Sequence, residues 1–110
     1  MLSEAESIDL ASVFAYVTNY GADDVLSPVD PLTYRAPDGD TCLHIAARMG
    51  NLRAVELLVR EGLDVNAEGD MENTPLHYAS TPEVVHFLLA HGANPKAQNR
   101  FGAFPEGCAE

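Results

Sequence analysis

The chain spells one short phrase twice, and that limits what it can fold into more than any other feature does. Thr41-Cys42-Leu43-His44-Ile45-Ala46-Ala47 lies over Thr74-Pro75-Leu76-His77-Tyr78-Ala79-Ser80 at an offset of 33 residues. Further on, Val55 to Leu63 lies over Val85 to Ala93 at an offset of 30, so the second copy lacks three residues between its two halves. A third start, Phe101-Gly102-Ala103-Phe104-Pro105, matches Asp38 to Cys42 at the summed offset of 63. A unit of this length cannot bury an apolar face alone. Self-similarity at a period near 30 therefore predicts small units stacked side by side, each covering its neighbour.

The local chemistry agrees. Thr41 and Thr74 suit helix N-caps, and Pro75 sits at the first helical position, where a missing N–H costs nothing. Two-turn inner helices are expected to follow. In the first unit Gly50-Asn51 breaks the chain and Asn51 caps a second helix over Leu52 to Glu61, with Val55, Leu58 and Val59 on one stripe and Gly62 closing it. In the second unit Thr81 caps and Pro82 opens the corresponding helix, with Val85, Leu88 and Leu89 inward and Gly92 at its end. The missing residues remove the glycine turn and shorten the inner helix, and leave the outer helix intact. At the N-terminus Ser3 and Glu6 are spaced as a capping box for a helix from Ser3 to Tyr20. Its stripe is Leu10, Val13, Phe14 and Val17. A Pro-rich link, Ser27 to Pro31, leads to the first full unit.

Gly39, Thr41, Leu43-His44, Ala46-Ala47, Gly50, Val55, Leu57-Leu58, Gly62 and Asn66, answered by Thr74-Pro75-Leu76-His77, Ala79, Val85, Leu88-Leu89, Gly92-Ala93 and Asn94, resemble the ankyrin repeat. The resemblance covers roughly residues 36–105. It implies an all-α solenoid of stacked helix-turn-helix units with hairpin-like fingers between them. The expected division is a degenerate N-terminal capping helix and linker (1–35), a repeat (36–68), a shortened repeat (69–98) and a partial third unit (99–110). With two good units, a worn cap and a stub, marginal stability is expected, or help from a partner or a second copy over the C-terminal face. The family uses finger tips and inner-helix faces for binding. The corresponding positions are Pro37, Asp38 and Asp40; Arg48 and Met49; Asp70, Met71 and Asn73; Ser80 and Thr81; and Arg100, Phe101 and Ala103. In the family the His is structural, bonded to the neighbouring Thr and to backbone of the adjacent unit. An imidazole both donates and accepts, so it can tie two backbones together.

Charge bears on partners. Seventeen acidic and six basic residues among 110 give a net charge of −11. Such a surface repels nucleic acid and anionic lipid, and fits a basic protein partner or simple solubility. No apolar run reaches the roughly 18–20 residues that span a bilayer. The acidic start, MLSEAESID, lacks the basic region of a secretory signal, so a cytoplasmic location is expected. Cys42 and Cys108 read as free thiols. Cys42-x-His44 has no second ligand pair at zinc spacing, there is no nucleophile elbow and no Gly-rich phosphate loop, and the paired aspartates sit in turns. Neither catalytic residue, metal nor cofactor is expected. The leading reading is a non-catalytic protein-binding module. The alternatives are an acidic inhibitor or immunity-type protein that blocks a basic enzyme, and a self-associating structural unit.

Overall fold

The structure, a computed structural model, describes residues 2–14 and 30–105. Helix α1 (Glu4–Val13) lies outermost in sequence; α2 (Cys42–Met49) and α3 (Leu52–Arg60) form the first repeat; α4 (Pro75–Tyr78) and α5 (Pro82–Ala90) form the second. Inner helices α2 and α4 pack together, and outer helix α3 lies between α1 and α5. No helix among the described residues is long and apolar enough to cross a membrane.

Each helix starts where its polar caps dictate. Ser3 Oγ accepts the Glu6 N–H at 3.2 Å while Glu6 Oε1 accepts the Ser3 N–H at 2.9 Å, which completes the capping box of α1. Asn51 Oδ1 accepts from Ala54 N–H at 3.1 Å and Thr81 Oγ1 from Val84 N–H at 3.3 Å. Each satisfies one orphan donor of the first helical turn.

Helix α1 runs to Val13, with Phe14 as its C-cap at φ −103°, ψ 16°. Val17, Tyr20 and most of the Pro-rich link lie outside the described residues. What holds α1 is the burial of Leu10 and Phe14, 1% and 2% exposed. Each contributes about 1.5–3 kcal/mol of apolar burial. Arg60 reaches back to Glu6 at 2.6 Å and Arg53 to Asp9 at 3.5 Å.

The core lies between the two helix layers. In α3 the buried set is Ala54, Val55, Leu57 and Leu58, with Val59 half-buried. That is wider than a single stripe, because α3 is covered by α1, α2 and α5. In α5 the fully buried residues are Val84 and Leu88, while Val85 and Leu89 are only half-buried. The inward pair is thus Val84 and Leu88, a correction to the expected face. Among the described residues α5 packs chiefly on α3 in the outer layer.

The caps also locate the missing residues. Asn51 and Thr81 hold equivalent cap positions at an offset of 30, while Ala47 and Ser80 match at 33. Arg48, Met49 and Gly50 are therefore the residues without counterparts. α4 accordingly has four residues where α2 has eight. The compressed turn folds back onto the first repeat. Ser80 N–H donates to the Ala47 carbonyl at 3.3 Å. A Cβ on Gly50, at φ +72°, would sit 2.8 Å from Thr81 Cγ2 and 2.9 Å from Ser80 Oγ.

The repeat register is also refined at Asn66. Asp64 Oδ1 accepts from Asn66 N–H and Asn94 Oδ1 accepts from Lys96 N–H, so Asn94 answers Asp64 and Lys96 answers Asn66. Asn66 ties the repeats together, donating through Nδ2 to Gly92 O at 3.0 Å and accepting Asn94 N–H at 2.8 Å. A lysine side chain carries donors only and cannot reproduce that pair.

Candidate interaction surface

Three finger turns lie ahead of the inner helices. In the first, Ala36 N–H donates to Asp40 O at 2.7 Å and Arg35 bridges Thr41 in antiparallel fashion. In the second, Gly69 N–H donates to Asn73 O at 2.8 Å, and in the third Asn99 N–H donates to Ala103 O at 3.1 Å. The tight turn puts glycine at positive φ in fingers one and three, Gly39 at 104° and Gly102 at 76°. The equivalent residue of finger two is Glu72, at φ 62°, preceded by Met71 at φ 55°. Two non-glycine residues in the left-handed region store backbone strain at this tip.

The fingers are fastened to each other and to the helices. Thr41 N–H donates to His44 Nδ1 at 3.0 Å, with the Thr41 hydroxyl 2.9 Å from the same nitrogen. A backbone amide can only donate, so Nδ1 is the acceptor and Nε2 carries the proton. Nε2 then donates to Ala67 O at 3.0 Å and Asn73 O at 2.9 Å in the next finger. The ring is fully buried, and burial, opposed by those carbonyls and the Asp40 carboxylate, holds its pKa below the usual imidazole range. His77 repeats the arrangement: Thr74 N–H to Nδ1 at 2.9 Å, and Nε2 to Ala103 O at 3.0 Å.

Further links run from finger to finger. Asp40 Oδ1 accepts Asp70 N–H at 2.8 Å, Arg100 N–H donates to Met71 O at 2.8 Å, and Asn99 Nδ2 donates to Asn73 Oδ1 at 2.9 Å. Gly69 permits the first contact, since a Cβ there would overlap the Asp40 carboxylate. Arg35 adds bonds to Gly39 O at 2.6 Å and Glu68 O at 3.3 Å.

The sequence-predicted contact residues separate by exposure. Pro37, Asp38, Arg48, Met49, Ser80, Met71, Arg100, Phe101 and Ala103 are exposed, Phe101 at 74%. Asp70 and Asn73 are half-buried. Asp40 is 2% exposed and its carboxylate accepts from the Asp70 N–H and, at 3.4 Å, the Tyr78 hydroxyl; it fastens the second finger and is not open at the surface as the sequence suggests. Thr81 is half-buried with its hydroxyl on Val84, so it serves as the α5 cap. Sequence reasoning missed Tyr78, whose ring lies under the Arg48 guanidinium at 5.5 Å and meets His44 edge-on at 5.8 Å. The available signal was an aromatic at the position of Ile45 beside the three-residue gap. Phe104, 42% exposed, was also missed.

Both His44 nitrogens are engaged by protein atoms. The Cys42 thiol is buried and pushed up to about 12 by that burial, so it stays protonated. Among the described residues no three His, Cys, Asp or Glu side chains converge as a metal site would require. Cys108 lies outside the described residues. His91 stacks on Phe87 with ring centroids 4.0 Å apart and bonds Phe87 O through Nδ1. These two, with Glu56, Val59 and Arg60, line a shallow groove of about 410 Å³ between the outer helices.

The chain is 43% identical over 72 residues to human B-cell lymphoma 3 protein, covering 59% of this chain and 16% of that one. It is 38% identical over 72 residues to human protein phosphatase 1 regulatory subunit 27, covering 63% of this chain and 47% of that one. It is 41% identical over 66 residues to the Drosophila melanogaster NF-kappa-B inhibitor cactus, covering 56% and 13%. The chain thus spans less than half the length of each of these relatives. Residues 7–99 match the family model for ankyrin repeats in three copies, and with that match, the two Thr–His caps and the linked fingers, the chain belongs to the ankyrin-repeat family.

Proposed function

We propose that this protein is a non-catalytic binding module that recognises another protein through its finger tips and the exposed end of α2. The observation that carries this reading is the row of linked fingers bearing exposed Met71, Arg100 and Phe101. Methionine, arginine and aromatic side chains are the types enriched at the centres of protein interfaces. Three turns joined to one another by hydrogen bonds hold them in advance, which limits the entropy lost on binding. The relatives support the reading at the level of their names: one is a phosphatase regulatory subunit and another an inhibitor of NF-kappa-B. Those partners belong to those proteins. For this chain the partner is a protein whose overall charge is neutral or basic, given the net −11.

The test is affinity capture from native lysate with the intact chain and with Met71→Glu and Phe101→Glu. Both substitutions lie on exposed turns and leave the core untouched. The reading expects a specific protein retained by the native chain and lost from both variants. Equal retention by all three sinks it.

A further inference from the structure

Arg48 stands at a step in the inner layer. The residues that repeat two lacks are the counterparts of Arg48, Met49 and Gly50, so α4 ends at Tyr78 and the wall beside Arg48 is one turn short. The guanidinium lies over the Tyr78 ring, 5.5 Å from its centroid. Tyr78 is itself fixed, with its hydroxyl 3.4 Å from the buried Asp40 carboxylate and its ring edge-on to His44. Burial raises the Tyr78 pKa, which keeps the phenol a donor to that carboxylate. The arginine therefore rests on a ring anchored to the Asp40 carboxylate of the first finger. The cation–π contact engages one side of the guanidinium, and because the side chain is exposed its five N–H donors are open to a partner.

The other four arginines are all engaged. Arg35 bonds the Gly39 and Glu68 carbonyls, Arg53 pairs with Asp9, Arg60 with Glu6, and Arg100 with Glu72. Arg48 has no carboxylate within ion-pair distance among the described residues, in a chain with 17 acids. An exposed arginine held over an aromatic ring, with no counterion among the described residues, is poised to accept one from outside.

We propose that Arg48 is the specificity-determining residue of this surface, and that it receives an aspartate or glutamate side chain of the partner protein. This rests on the reading that the finger edge binds a protein. A planar carboxylate meets the guanidinium fork with two parallel hydrogen bonds. A partner without the carboxylate would desolvate Arg48 and leave it unpaired, which rejects it. The net −11 repels acidic proteins at long range, so the favoured partner is neutral or basic overall with one acid opposite Arg48.

The experiment selects a phage-displayed random dodecapeptide library against the intact chain, Arg48→Gln and Arg48→Glu, each first checked for native circular dichroism. The native chain is expected to enrich peptides with an acid at one fixed position. Arg48→Gln should lose that preference and Arg48→Glu should replace it with lysine or arginine. Changing the acid of a selected peptide to its amide should weaken binding to the native chain roughly tenfold or more, and leave binding to Arg48→Gln unchanged. A consensus without an acid, a consensus indifferent to Arg48, or no enrichment overturns the proposal. If Met71→Glu and Phe101→Glu abolish peptide binding while no acid is required, the finger reading stands and the role of Arg48 alone fails. Selected peptides that bind every variant equally sink both.

Discussion

His44 Nε2 lies 2.9 Å from the carbonyl oxygen of Asn73, a residue 29 positions further along the chain. The same ring accepts the Thr41 N–H on its other side. One buried imidazole thus closes the start of α2 and pins the following finger. His77 does the same toward Ala103, but from a half-buried position and with one carbonyl instead of two.

That difference sets the first prediction. His44→Ala leaves the Thr41 N–H and the Ala67 and Asn73 carbonyls without this partner inside the protein. At about 1–3 kcal/mol for a buried group left unsatisfied, the loss should be roughly 3 kcal/mol or more. His77→Ala should cost about 1 kcal/mol, because water can reach the freed groups. Urea denaturation of both variants, read at the transition midpoint, compares them directly.

The pH dependence of stability follows from two groups. The folded pKa of His44 is lowered from 6.5, so as pH falls the unfolded chain takes up a proton that the folded ring refuses. Its contribution is whole above about 6.5 and declines below it until the folded ring itself titrates. Glu6 is held down to about 2 by Arg60 and the Ser3 cap, from 4.5, so its contribution is present above 4.5 and is lost as pH falls toward 2. Melting temperature against pH should therefore fall in two stages. His44→Gln should flatten the upper one and leave the lower.

Glu72 occupies the left-handed position that Gly39 and Gly102 fill in the neighbouring fingers. Glu72→Gly should relieve about 1 kcal/mol of backbone strain. It also removes an exposed contact with Arg100 at 3.9 Å, of little weight. A rise in urea midpoint without a change in slope is the expected result.

Gly50 and Gly62 share positive φ, at 72° and 102°, but differ in surroundings. A Cβ at Gly62 meets nothing within 4 Å, whereas at Gly50 it meets Ser80 and Thr81 below 3.0 Å. Gly62→Ala should cost about 1 kcal/mol for conformation alone. Gly50→Ala should cost more, by about 1–3 kcal/mol of overpacking, because the Thr81 side chain it meets is held by its bond to the Val84 N–H. Thermal unfolding of the pair isolates the contact.

Much of this was legible in the sequence because it is carried by local chemistry repeated at a fixed period. Asn51 and Thr81 cap as their types and positions require, Thr41 and Thr74 stand at the N-cap positions with their N–H groups on the histidines, and the twin histidines bond as a repeated structural residue should. What was not legible depends on what stands beside each residue. Asp40 looks like a turn aspartate open to a partner, yet the second finger closes over it through Asp70. Val85 looks inward by periodicity, but as α5 lies against α3 it is Val84 that is fully buried and Val85 that is half-buried. The gap of three residues was visible at once. Its consequences, Ser80 on Ala47 and Tyr78 under Arg48, appear only when the two inner helices lie side by side.

Long-range proton–nitrogen correlation of the histidine rings at neutral pH, with and without added zinc, tests most directly whether the twin imidazoles fasten fingers instead of doing chemistry. The account predicts a neutral His44 ring and, on both rings, an Nδ1 that accepts the threonine N–H and an Nε2 that donates to the next finger, unchanged by zinc. A protonated Nδ1 on either ring, or a zinc-dependent shift of either, would contradict it.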